Sequence, residues 1–489
     1  MTIDRWVTDA ARRSPEKIAL RFGAQQTLSY AAFEKKIDVA VNVFAQLGVK
    51  HGDRVAWYGL NHPDVFVLLF ACARVGAIFV PLNWRLAKPE VAAIVANCNP
   101  RLLIHDEHFI ERATALPHVQ LLPNKALYRQ HNEALNQSRL QNTDHGKDTD
   151  SLLLVYTSGS TGVPKGALLS QQAVACNALM SVEAHGLTES DTALVVLPLF
   201  HVGGLNVLPT PAFSVGATVI LHERFDPVLA CEDLQTATVA IVVPTVLQAM
   251  MACERWLQLD LSLLRGLSIG STDVPITLVE SIHKMGIPVA QVYGATETGP
   301  YAIYQTFDNA VASLGSIGRA GSHCDIRLVD NGVDVGLNEP GEIWVKGDNV
   351  LTEYWKNPEL SAEVLQQGWL RTGDVASCDE QGFYWFKDRI KHVIISGGEN
   401  IYPTEIERLL QLIDGVCEVS VVGKPDPTWG EIPVAVVVTN TALQKSEVLA
   451  PLQGQLASYK HPKDVVFVDE LPRNAMGKVV AARVRAMIQ

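Results

Sequence analysis

One glycine- and hydroxyl-rich segment has the residue types that bind a chain of phosphates. Residues 156–166 read Tyr-Thr-Ser-Gly-Ser-Thr-Gly-Val-Pro-Lys-Gly and directly follow the apolar run 152–155. Backbone N–H groups, hydroxyl groups and the ammonium group of Lys165 could donate to phosphate oxygens there. The pattern differs from a Walker loop, because Pro164 precedes the lysine and pushes Val163 away from helical geometry. Such a run is also typical of a flexible surface loop, so other segments must decide between the two interpretations.

Six further segments place charged, hydroxyl or imidazole groups beside glycine or proline. In chain order they are Leu-Pro-Leu-Phe-His-Val at 197–202, Val-Tyr-Gly-Ala-Thr-Glu-Thr-Gly at 292–299, Gly-Trp-Leu-Arg-Thr-Gly-Asp at 368–374, Lys-Asp-Arg-Ile-Lys at 387–391, Ser-Gly-Gly-Glu-Asn-Ile-Tyr-Pro at 396–403 and Pro-Arg-Asn-Ala-Met-Gly-Lys at 472–478. With the first segment, they resemble the motifs of the AMP-forming acyl-adenylate superfamily, which contains acyl-CoA synthetases, firefly-type luciferases and the adenylation domains of peptide synthetases. Each motif is weak by itself, whereas six in the family's order are specific. The resemblance extends over most of the chain and is to the acyl-CoA synthetase branch, the fatty-acid and aryl-acid CoA ligases.

The resemblance implies that the chain uses ATP and Mg²⁺ to activate a carboxylic acid. The β- and γ-phosphates of ATP would be held by the loop residues Thr157, Ser158, Gly159, Ser160, Thr161, Gly162 and Lys165. By the same resemblance, Thr296 donates to phosphate oxygens and Glu297 binds the Mg²⁺ that bridges them. Such a hard cation prefers carboxylate and phosphate oxygens. Without its motif, Glu297 would be interpreted as a solvated loop carboxylate, since acidic residues are mostly exposed.

The adenine ring of ATP is matched by two segments that each follow a predicted strand. Tyr293, which precedes Gly294, can stack on an adenine face, and Gly270 lets the ring approach the backbone closely. The chain has Gly-Ser-Thr at 270–272, where the family usually has Gly-Ala-Ala or Gly-Ala-Pro. Ser271 and Thr272 therefore add two hydroxyl groups beside the expected purine and acyl sites.

The ribose and the adenylation step are matched by residues further along the chain. The resemblance assigns Asp374 to the ribose hydroxyls and Arg389 to the ribose and phosphate, although a structural salt bridge would also explain both. Lys478 matches the family's adenylation lysine, and Gly477 before it permits a tight turn. The family uses two orientations of a small C-terminal domain, which rotates at the position of Lys391. Lys478, which lies on this small domain, would therefore serve only the first half-reaction.

The second orientation implies a route for coenzyme A, the expected acyl acceptor. Ser396, Gly397, Gly398 and Glu399 would face the acyl site, and the two glycines leave room for a narrow pantetheine tunnel. Trp429 resembles a residue that packs against the CoA arm. A tryptophan in the core of the small domain is an equally good interpretation.

The acyl pocket is expected around the motif that contains His201. This histidine matches a family residue at the mouth of the pocket, where it would orient the carboxylate or gate the tunnel, although most lone histidines are structural. The predicted lining residues are His201, Val202, Gly203, Gly204, Val243, Ser271, Pro300 and Tyr301. Their apolar walls without a fixed cation suit an apolar acid and exclude a dicarboxylate. A medium-chain fatty acid, an aryl acid or an arylpropenoic acid would fit.

Composition narrows the partners to small molecules. The formal net charge of −12 argues against nucleic-acid binding, which needs a basic surface. The polar N-terminus does not resemble a signal peptide, and the eight cysteines lack CxxC pairing, so we predict reduced thiols in a cytoplasmic enzyme. The apolar stretch 65–82 is broken by Arg74 and Gly76, which predicts a buried helix and a strand and no transmembrane segment. The sequence leaves the oligomeric state open, a homodimer included.

Alternating β-rich and helical runs predict an α/β fold. Predicted strands lie at 54–58, 77–80, 193–197, 218–221, 240–243, 266–269 and 289–293, with helices at 227–236 and 244–257 and a polar connection at 124–151. After Arg389 we predict a strand at 392–395, a helix at 404–413, strands at 417–422, 434–438 and 465–468, and a basic terminal helix. The resulting domains are a large multi-subdomain N-terminal AMP-binding domain at 1–390, with mixed sheets and helices, and a small mobile α+β domain at 391–489 with its hinge at Lys391.

These features together predict an ATP-dependent, AMP-forming acid–CoA ligase that works through an acyl-adenylate. One alternative is a stand-alone adenylation enzyme that loads an acyl carrier protein; no carrier domain follows Gln489, which favours free CoA only slightly. A luciferase-like oxygenase is a weaker alternative. A non-catalytic nucleotide-binding relative should have lost part of the charged set, but Lys165, Glu297, Asp374, Arg389 and Lys478 are all present. The identity of the acid is left open.

Overall fold

The computed structural model describes residues 2–23, 26–116, 119–129, 146–157, 164–271, 274–397, 399–474 and 477–488. Its backbone contacts divide the chain into two compact units. The first contains Met1–Ile326 and Val345–Leu370, and the second contains Arg327–Trp344 and Arg371–Gln489. The predicted α/β class is confirmed. The predicted domain boundary at 390/391, with its hinge at Lys391, stays a prediction.

A large mixed sheet lies in the first unit. Within the described residues it has nine strands in the spatial order Arg319–Ala320, Ile303–Tyr304, Val289–Tyr293, Gly266–Gly270, Val239–Val242, Thr192–Val195, Thr218–Leu221, Ile18–Phe22 and Gln26–Ser29. The six strands from Val289–Tyr293 to Ile18–Phe22 run parallel to one another. Parallel strands are covered on both faces, which explains their nearly continuous apolar sequences.

A second mixed sheet also belongs to the first unit. Among the described ranges it has seven strands in the order Glu353–Tyr354, Lys165–Ser170, Ser151–Thr157, Ile78–Pro81, Arg54–Tyr58, Leu102–His105 and Gln120–Pro123. Two antiparallel pairings, of Lys165–Ser170 with Ser151–Thr157 and with Glu353–Tyr354, lie at one edge. The predicted strands at 54–58, 218–221 and 289–293 have the observed bounds, and the other predicted strands of this unit are shifted by at most two residues at either end.

Helices cover the two sheets of the first unit. The described α-helices are Trp6–Arg13, Tyr30–Gln46, Pro63–Val75, Lys88–Cys98, Ile110–Thr114, Asn124–Arg129, Gln171–His185, Val202–Asn206, Pro209–Val215, Pro227–Leu234, Pro244–Met251, Ile276–His283, Phe307–Ala310 and Pro358–Val364. The helix Pro63–Val75 begins with proline at its first position and ends at Gly76, whose φ of 67° is left-handed. It is buried, as predicted. No helix in the described part of the chain has the length and apolarity to cross a membrane, and the cytoplasmic location stays a prediction.

The helix predicted at 244–257 is too long. It ends at Met251, and the chain continues into a short 3₁₀ turn at Trp256–Gln258. The backbone N–H of Trp256 donates to the Cys253 carbonyl at 2.9 Å, and the indole is buried. Tertiary packing of this tryptophan therefore overrides the helical apolar pattern. The predicted polar connection at 124–151 contains the helix Asn124–Arg129, and residues 130–145 lie outside the described residues.

Two antiparallel-rich sheets follow. In the described residues, one has the order Val333–Asp334, Cys324–Asp330, Gly341–Gly347, Trp369–Cys378 and Leu365–Gln366, with Tyr384–Arg389 also paired to Trp369–Cys378. The other has the order Glu399–Ile401, Ile394–Ser396, Gly430–Thr439 and Val416–Asp426, with Asp464–Phe467 also paired to Gly430–Thr439. The second unit also has the helices Pro403–Leu410, Lys445–Leu449 and Ala481–Ala486. Its apolar core includes Ile394, Ile406, Val421 and Val437, so the predicted small α+β region is confirmed.

Candidate functional site

Four candidate positions lie at one edge of the nine-stranded sheet. His201 follows the strand Thr192–Val195, Val243 follows Val239–Val242, Ser271 follows Gly266–Gly270, and Tyr293 ends Val289–Tyr293. These strands are neighbours and run in parallel. Their carboxyl ends therefore meet, at the edge where open α/β sheets bind ligands. The sheet order brings together residues that are far apart in the sequence.

The backbone is crowded at Gly270. It pairs with Val292 in register, and a Cβ at Gly270 would lie 2.5 Å from the Val292 carbonyl oxygen. Its lack of a side chain therefore permits the close approach of two strands. Ser271 has a left-handed φ of 72°, which is unusual for a residue other than glycine. Gly294 is crowded as well, since a Cβ there would lie 1.7 Å from the Pro300 carbonyl oxygen.

The two glycines after His201 have different surroundings. A Cβ at Gly203 would lie 3.5 Å from the Ser271 hydroxyl oxygen, so the helix Val202–Asn206 begins beside that serine. At Gly204, a Cβ would lie 2.1 Å from the Pro198 carbonyl oxygen. Backbone therefore fills the space beside Gly204, one of the predicted lining residues. His201 packs its ring against Phe200, with the centroids 4.7 Å apart.

Tyr301 is completely buried at the same end of the unit. Its backbone N–H donates to the Asn177 Oδ1 at 3.1 Å, and its ring lies edge-on to His185 with centroids 6.4 Å apart. Burial lowers the pKa of His185 to about 4, so that imidazole is neutral at physiological pH. The predicted lining residue Tyr301 is thus enclosed by the protein, beside a neutral imidazole.

The two described residues that flank the phosphate loop lie on a hairpin. Thr157 and Lys165 are directly opposite each other at the ends of two antiparallel strands. Ser158, Gly159, Ser160, Thr161 and Gly162 lie outside the described residues. Lys165, the predicted phosphate-binding cation, begins the second strand of this hairpin.

Glu297 is held by a tyrosine that the sequence analysis missed. The Tyr354 hydroxyl donates to Glu297 Oε1 at 2.6 Å, and the Leu351 N–H donates to the Glu297 carbonyl at 2.8 Å. Burial, and then the neighbouring Glu297 charge, raise the pKa of Tyr354, so its phenol stays protonated and remains a donor. The two residues are 57 positions apart, and no local pattern signals this contact.

The surroundings of Glu297 fit a metal shared with phosphates. No described residue donates to its Oε2, and the described residues contain no cluster of three His, Cys, Asp or Glu side chains that could hold a metal. Mg²⁺ in phosphate sites is commonly bound by one or two carboxylates, with substrate phosphates and water completing its shell. One oriented carboxylate is therefore sufficient on the protein side.

In the second unit, Asp374, Arg389 and Lys478 form a charged cluster. Asp374 and Arg389 are register partners in adjacent antiparallel strands, and Arg389 Nε lies 3.0 Å from Asp374 Oδ1. Asp374 is buried, whereas about half of the Arg389 side chain is exposed. Burial, and then the Arg389 charge, lower the pKa of Lys478, while Asp374 raises it. Asp374 and Arg389 thus form the salt bridge that the sequence allowed. This contact is compatible with a role of the same two residues in nucleotide binding.

Lys478 sits on a tight turn, as its preceding glycine predicted. Gly477 has a left-handed φ of 77°. The Asn474 N–H donates to the Lys478 carbonyl at 2.9 Å, and the Lys478 N–H donates to the Asn474 Oδ1 at 3.1 Å. These two bonds join Asn474 to Lys478 and fix the backbone of the lysine beside that asparagine.

The predicted CoA-facing segment also lies in the second unit. Ser396 is buried at the end of a strand, Glu399 is exposed, and Gly398 lies outside the described residues. Trp429 is 52 % exposed, so its interpretation as a core residue is wrong. Its ring instead covers Gly397, where a Cβ would lie 2.8 Å away. Lys391 is exposed in the turn Ile390–His392.

A basic, aromatic cavity in the first unit escaped the sequence analysis. It has a volume of about 420 Å³ and is lined by Trp84, Arg85, His108, Phe109, Arg112 and Arg224. No acidic residue is among this described lining. The guanidinium carbons of Arg85 and Arg224 lie 5.1 Å and 5.4 Å from the Trp84 ring centroid. The Trp84 ring also contacts Phe200, next to His201, with centroids 6.3 Å apart. The cavity therefore adjoins the predicted acyl entrance and suits an anion that carries an aromatic ring.

Comparison with known proteins agrees with this geometry. The AMP-binding enzyme family matches residues 7–355, and the AMP-binding enzyme C-terminal domain matches residues 405–478. The chain is 44 % identical to the indoleacetate–CoA ligase of Aromatoleum aromaticum, over 100 % of this chain and 98 % of that protein. It is 40 % identical to a feruloyl-CoA synthase of Amycolatopsis sp, over 98 % of both proteins.

A solved structure extends the likeness to three dimensions. The o-succinylbenzoate CoA synthetase of Bacillus subtilis, in complex with ATP and magnesium ion, superposes with a TM-score of 0.87 and 30 % identity. The match covers 98 % of this chain and 99 % of that one. Fold and sequence thus point to the same family over nearly the whole length.

Proposed function

We propose that this chain, which belongs to the AMP-binding enzyme family, joins an aryl-bearing carboxylic acid to coenzyme A. It is an AMP-forming acid–CoA ligase. In the first half-reaction, a carboxylate oxygen attacks the α-phosphorus of ATP and the bond to the β-phosphate breaks, giving acyl-AMP and pyrophosphate. In the second, the CoA sulfur attacks the acyl carbon, the thiol proton is lost, and AMP leaves.

The observation that carries the proposal is that Glu297 and the cluster of Asp374, Arg389 and Lys478 have net charges of opposite sign. Glu297 has a neutral phenol as its partner and keeps its negative charge for a cation. Asp374, Arg389 and Lys478 together carry one net positive charge, which suits an anion. ATP bound with a divalent metal requires both kinds of site.

Each charged residue then has a defined role. Lys165 and Thr157, with the loop between them, bind the β- and γ-phosphates, and Thr296 donates to them. Asp374 accepts from the ribose hydroxyls, and Lys478 neutralises charge that develops at the α-phosphate. Arg389 both orients Asp374 and contacts the nucleotide. Tyr293 supplies a stacking face for adenine, since it ends a strand at the ligand edge of the sheet.

Glu297 would hold Mg²⁺, since its carboxylate is oriented and none of the described residues donates to Oε2. At Glu297, a divalent cation would supply positive charge that offsets the charge of the phosphates. The other roles proposed above belong to amino-acid side chains of this protein.

The substrate is proposed to be an arylacetic or arylpropenoic acid. Support comes from the two relatives above, whose names specify indoleacetate and ferulate. Gly204 does not enlarge the pocket, because the Pro198 carbonyl occupies that space.

Free CoA is the acceptor that fits the basic cavity. CoA carries a diphosphate and a 3′-phosphate next to adenine, whereas the arm of a carrier protein lacks this nucleotide. Arg85, Arg112 and Arg224 would pair with its phosphates beside the Trp84 ring. The cavity adjoins Phe200 and His201, so a nucleotide there would leave its pantetheine arm near the acyl entrance.

The test is product analysis with ATP, Mg²⁺, CoA and a panel of indoleacetate, phenylacetate, ferulate, benzoate and C4 to C16 fatty acids. We expect AMP and an aryl thioester, with fatty acids slower. Release of ADP, or a preference for fatty acids, would contradict the proposal.

The acceptor is tested with CoA, dephospho-CoA and a phosphopantetheinyl carrier protein. In Arg85→Met and Arg224→Met we expect the KM for CoA to rise about tenfold, since each charged hydrogen bond contributes that order. The KM for dephospho-CoA should change less. The control is Arg255→Met, an arginine with 70 % exposure in a surface ion pair. Equal use of the carrier protein would favour the carrier-loading alternative.

A further inference from the structure

We propose that Tyr354 is a positioning residue for the metal-binding carboxylate, Glu297. The inference rests on the proposed function in one respect, namely that Glu297 binds the divalent cation. It adds a residue that no motif of the sequence analysis contains and gives that residue a separable effect, on metal affinity.

The first argument is the geometry of the contact. The Tyr354 hydroxyl donates to Glu297 Oε1 at 2.6 Å, a short bond to a charged acceptor. A carboxylate with one oxygen fixed can no longer rotate freely, so its second oxygen keeps one direction. Among the described residues, that second oxygen receives no donor. The arrangement therefore selects which oxygen is left for a cation.

The second argument is that Tyr354 itself is held rigidly. Its ring is buried, with 8 % exposure, and its backbone N–H donates to the Ser361 Oγ at 2.9 Å. It pairs with Ala167 in the antiparallel ladder, and the next residue, Trp355, donates its N–H to the Gly166 carbonyl at 2.7 Å. A partner of this kind can orient a ligand, because its own position is determined by the sheet.

The third argument is the connection to the phosphate loop. The strand that Tyr354 pairs with begins at Lys165, two residues before Ala167. The Leu351 N–H, on the same short segment, donates to the Glu297 carbonyl at 2.8 Å. Residues 351–355 therefore connect Glu297, the proposed metal ligand, to the strand that begins at Lys165, the proposed phosphate-binding cation. A cation shared by Glu297 and the phosphates would require that these two residues keep a fixed relative position.

The experiment compares metal affinity in Tyr354→Phe with that in the wild type. Mn²⁺ replaces Mg²⁺ as a paramagnetic probe, and its binding to the enzyme–ATP complex is titrated by electron paramagnetic resonance. Removing a partner that orients a metal ligand typically weakens metal affinity by about 10- to 100-fold. We expect a loss in this range, with ATP affinity in the absence of metal unchanged.

The matched control is Tyr30→Phe. Its phenol is fully buried and donates to the Ala217 carbonyl at 2.6 Å, in another part of the same unit. It loses a bond of the same length and should keep wild-type Mn²⁺ affinity. Conversion of supplied acyl-AMP and CoA to thioester, which uses no ATP, checks the fold of Tyr354→Phe and should remain at the wild-type rate.

A double variant separates positioning from simple loss of structure. In Glu297→Gln the phenol has no carboxylate to orient, so adding Tyr354→Phe should weaken Mn²⁺ binding by less than twofold. Wild-type Mn²⁺ affinity in Tyr354→Phe, or an equal loss of the metal-independent half-reaction, would overturn the inference. If Glu297→Gln itself kept full affinity, the assignment of Glu297 in the proposed function would be wrong instead.

Discussion

The carboxylates of Glu297, in the first unit, and of Asp374, in the second, are each oriented by a hydrogen-bonding partner. The two partners give the surroundings of these carboxylates net charges of opposite sign. Glu297 accepts from a neutral phenol, and its negative charge remains uncompensated by that partner. Asp374 pairs with a guanidinium and faces an additional lysine, so its cluster is cationic. The choice of partner, hydroxyl or cation, therefore decides whether a carboxylate can serve a metal or an anionic substrate.

The two carboxylates also differ in how the chain brings their partners together. Asp374 and Arg389 face each other across a single antiparallel strand pair. Tyr354 reaches Glu297 only because its short strand adds to the edge of the seven-stranded sheet. The first arrangement is local and the second depends on the assembled sheet. We expect the first to respond mainly to changes of charge and the second to changes of geometry.

The largest effect is expected from removing the cation of the second cluster. Lys478→Ala should slow acyl-AMP formation about a hundredfold or more, the usual cost of losing a charge that stabilises the transition state. Thioester formation from supplied acyl-AMP should persist, because that step has no attack on the α-phosphate. Pyrophosphate exchange and thioester release measure the two steps separately.

Lys463→Ala is the control, since Lys463 is an exposed lysine of the same unit. If Lys478→Ala lost both half-reactions equally while remaining folded, the assignment of this lysine to adenylation would fail.

A smaller effect is expected from the carboxylate of the same cluster. Asp374→Asn leaves Arg389 without its anion and removes the acceptor proposed for the ribose hydroxyls. We expect the KM for ATP to rise about tenfold, in line with the loss of a charged hydrogen bond. Steady-state kinetics with ATP and with 2′,3′-dideoxy-ATP would measure it, because the wild type should treat the analogue as the variant treats ATP.

Asp464→Asn is the comparison for this change. It also removes the carboxylate of an ion pair, with Lys445 at 2.6 Å, but both side chains are at least half exposed. Exposed pairs contribute little, so its kinetics should match the wild type. A tenfold effect there would mean that charge loss anywhere in the unit disturbs ATP binding.

The smallest effect is a displacement of the pH profile. Burial, and then the Arg389 charge, hold the pKa of Lys478 below its ordinary value of 10.5. The protonated amine is the active form, so adenylation should decline as pH rises through this lowered pKa. Lys478→Arg stays protonated and should move the alkaline limb upward, at a lower maximal rate. An unchanged limb in that variant would assign the titration to another group.

The sequence predicted most elements that carry the site. Continuous β-rich runs located strands such as Arg54–Tyr58 and Val289–Tyr293, and Arg74 and Gly76 marked the end of the helix Pro63–Val75. These signals are local, since burial on both faces demands apolar residues within one short segment. The helix predicted at 244–257 was too long because the core takes up Trp256, a tertiary contact that periodicity does not record.

The motifs likewise identified residues by type and left their surroundings open. Lys478 on its tight turn and Asp374 beside Arg389 follow from residues close to them in sequence or in an adjacent strand. Trp429 could be either a core residue or an exposed one, and only its 52 % exposure decided. Exposure depends on what packs above a residue, which its own segment does not specify.

What the sequence by itself determined, therefore, is the family, the α/β class and the identity of the charged residues. What only the tertiary structure decided is which groups are partners. Tyr354 lies 57 residues from Glu297, and the arginines of the basic cavity are drawn from positions 85 to 224. Such contacts arise from the order in which strands assemble into sheets. Strand order is set by packing of the whole unit, and no repeat or spacing along the chain encodes it.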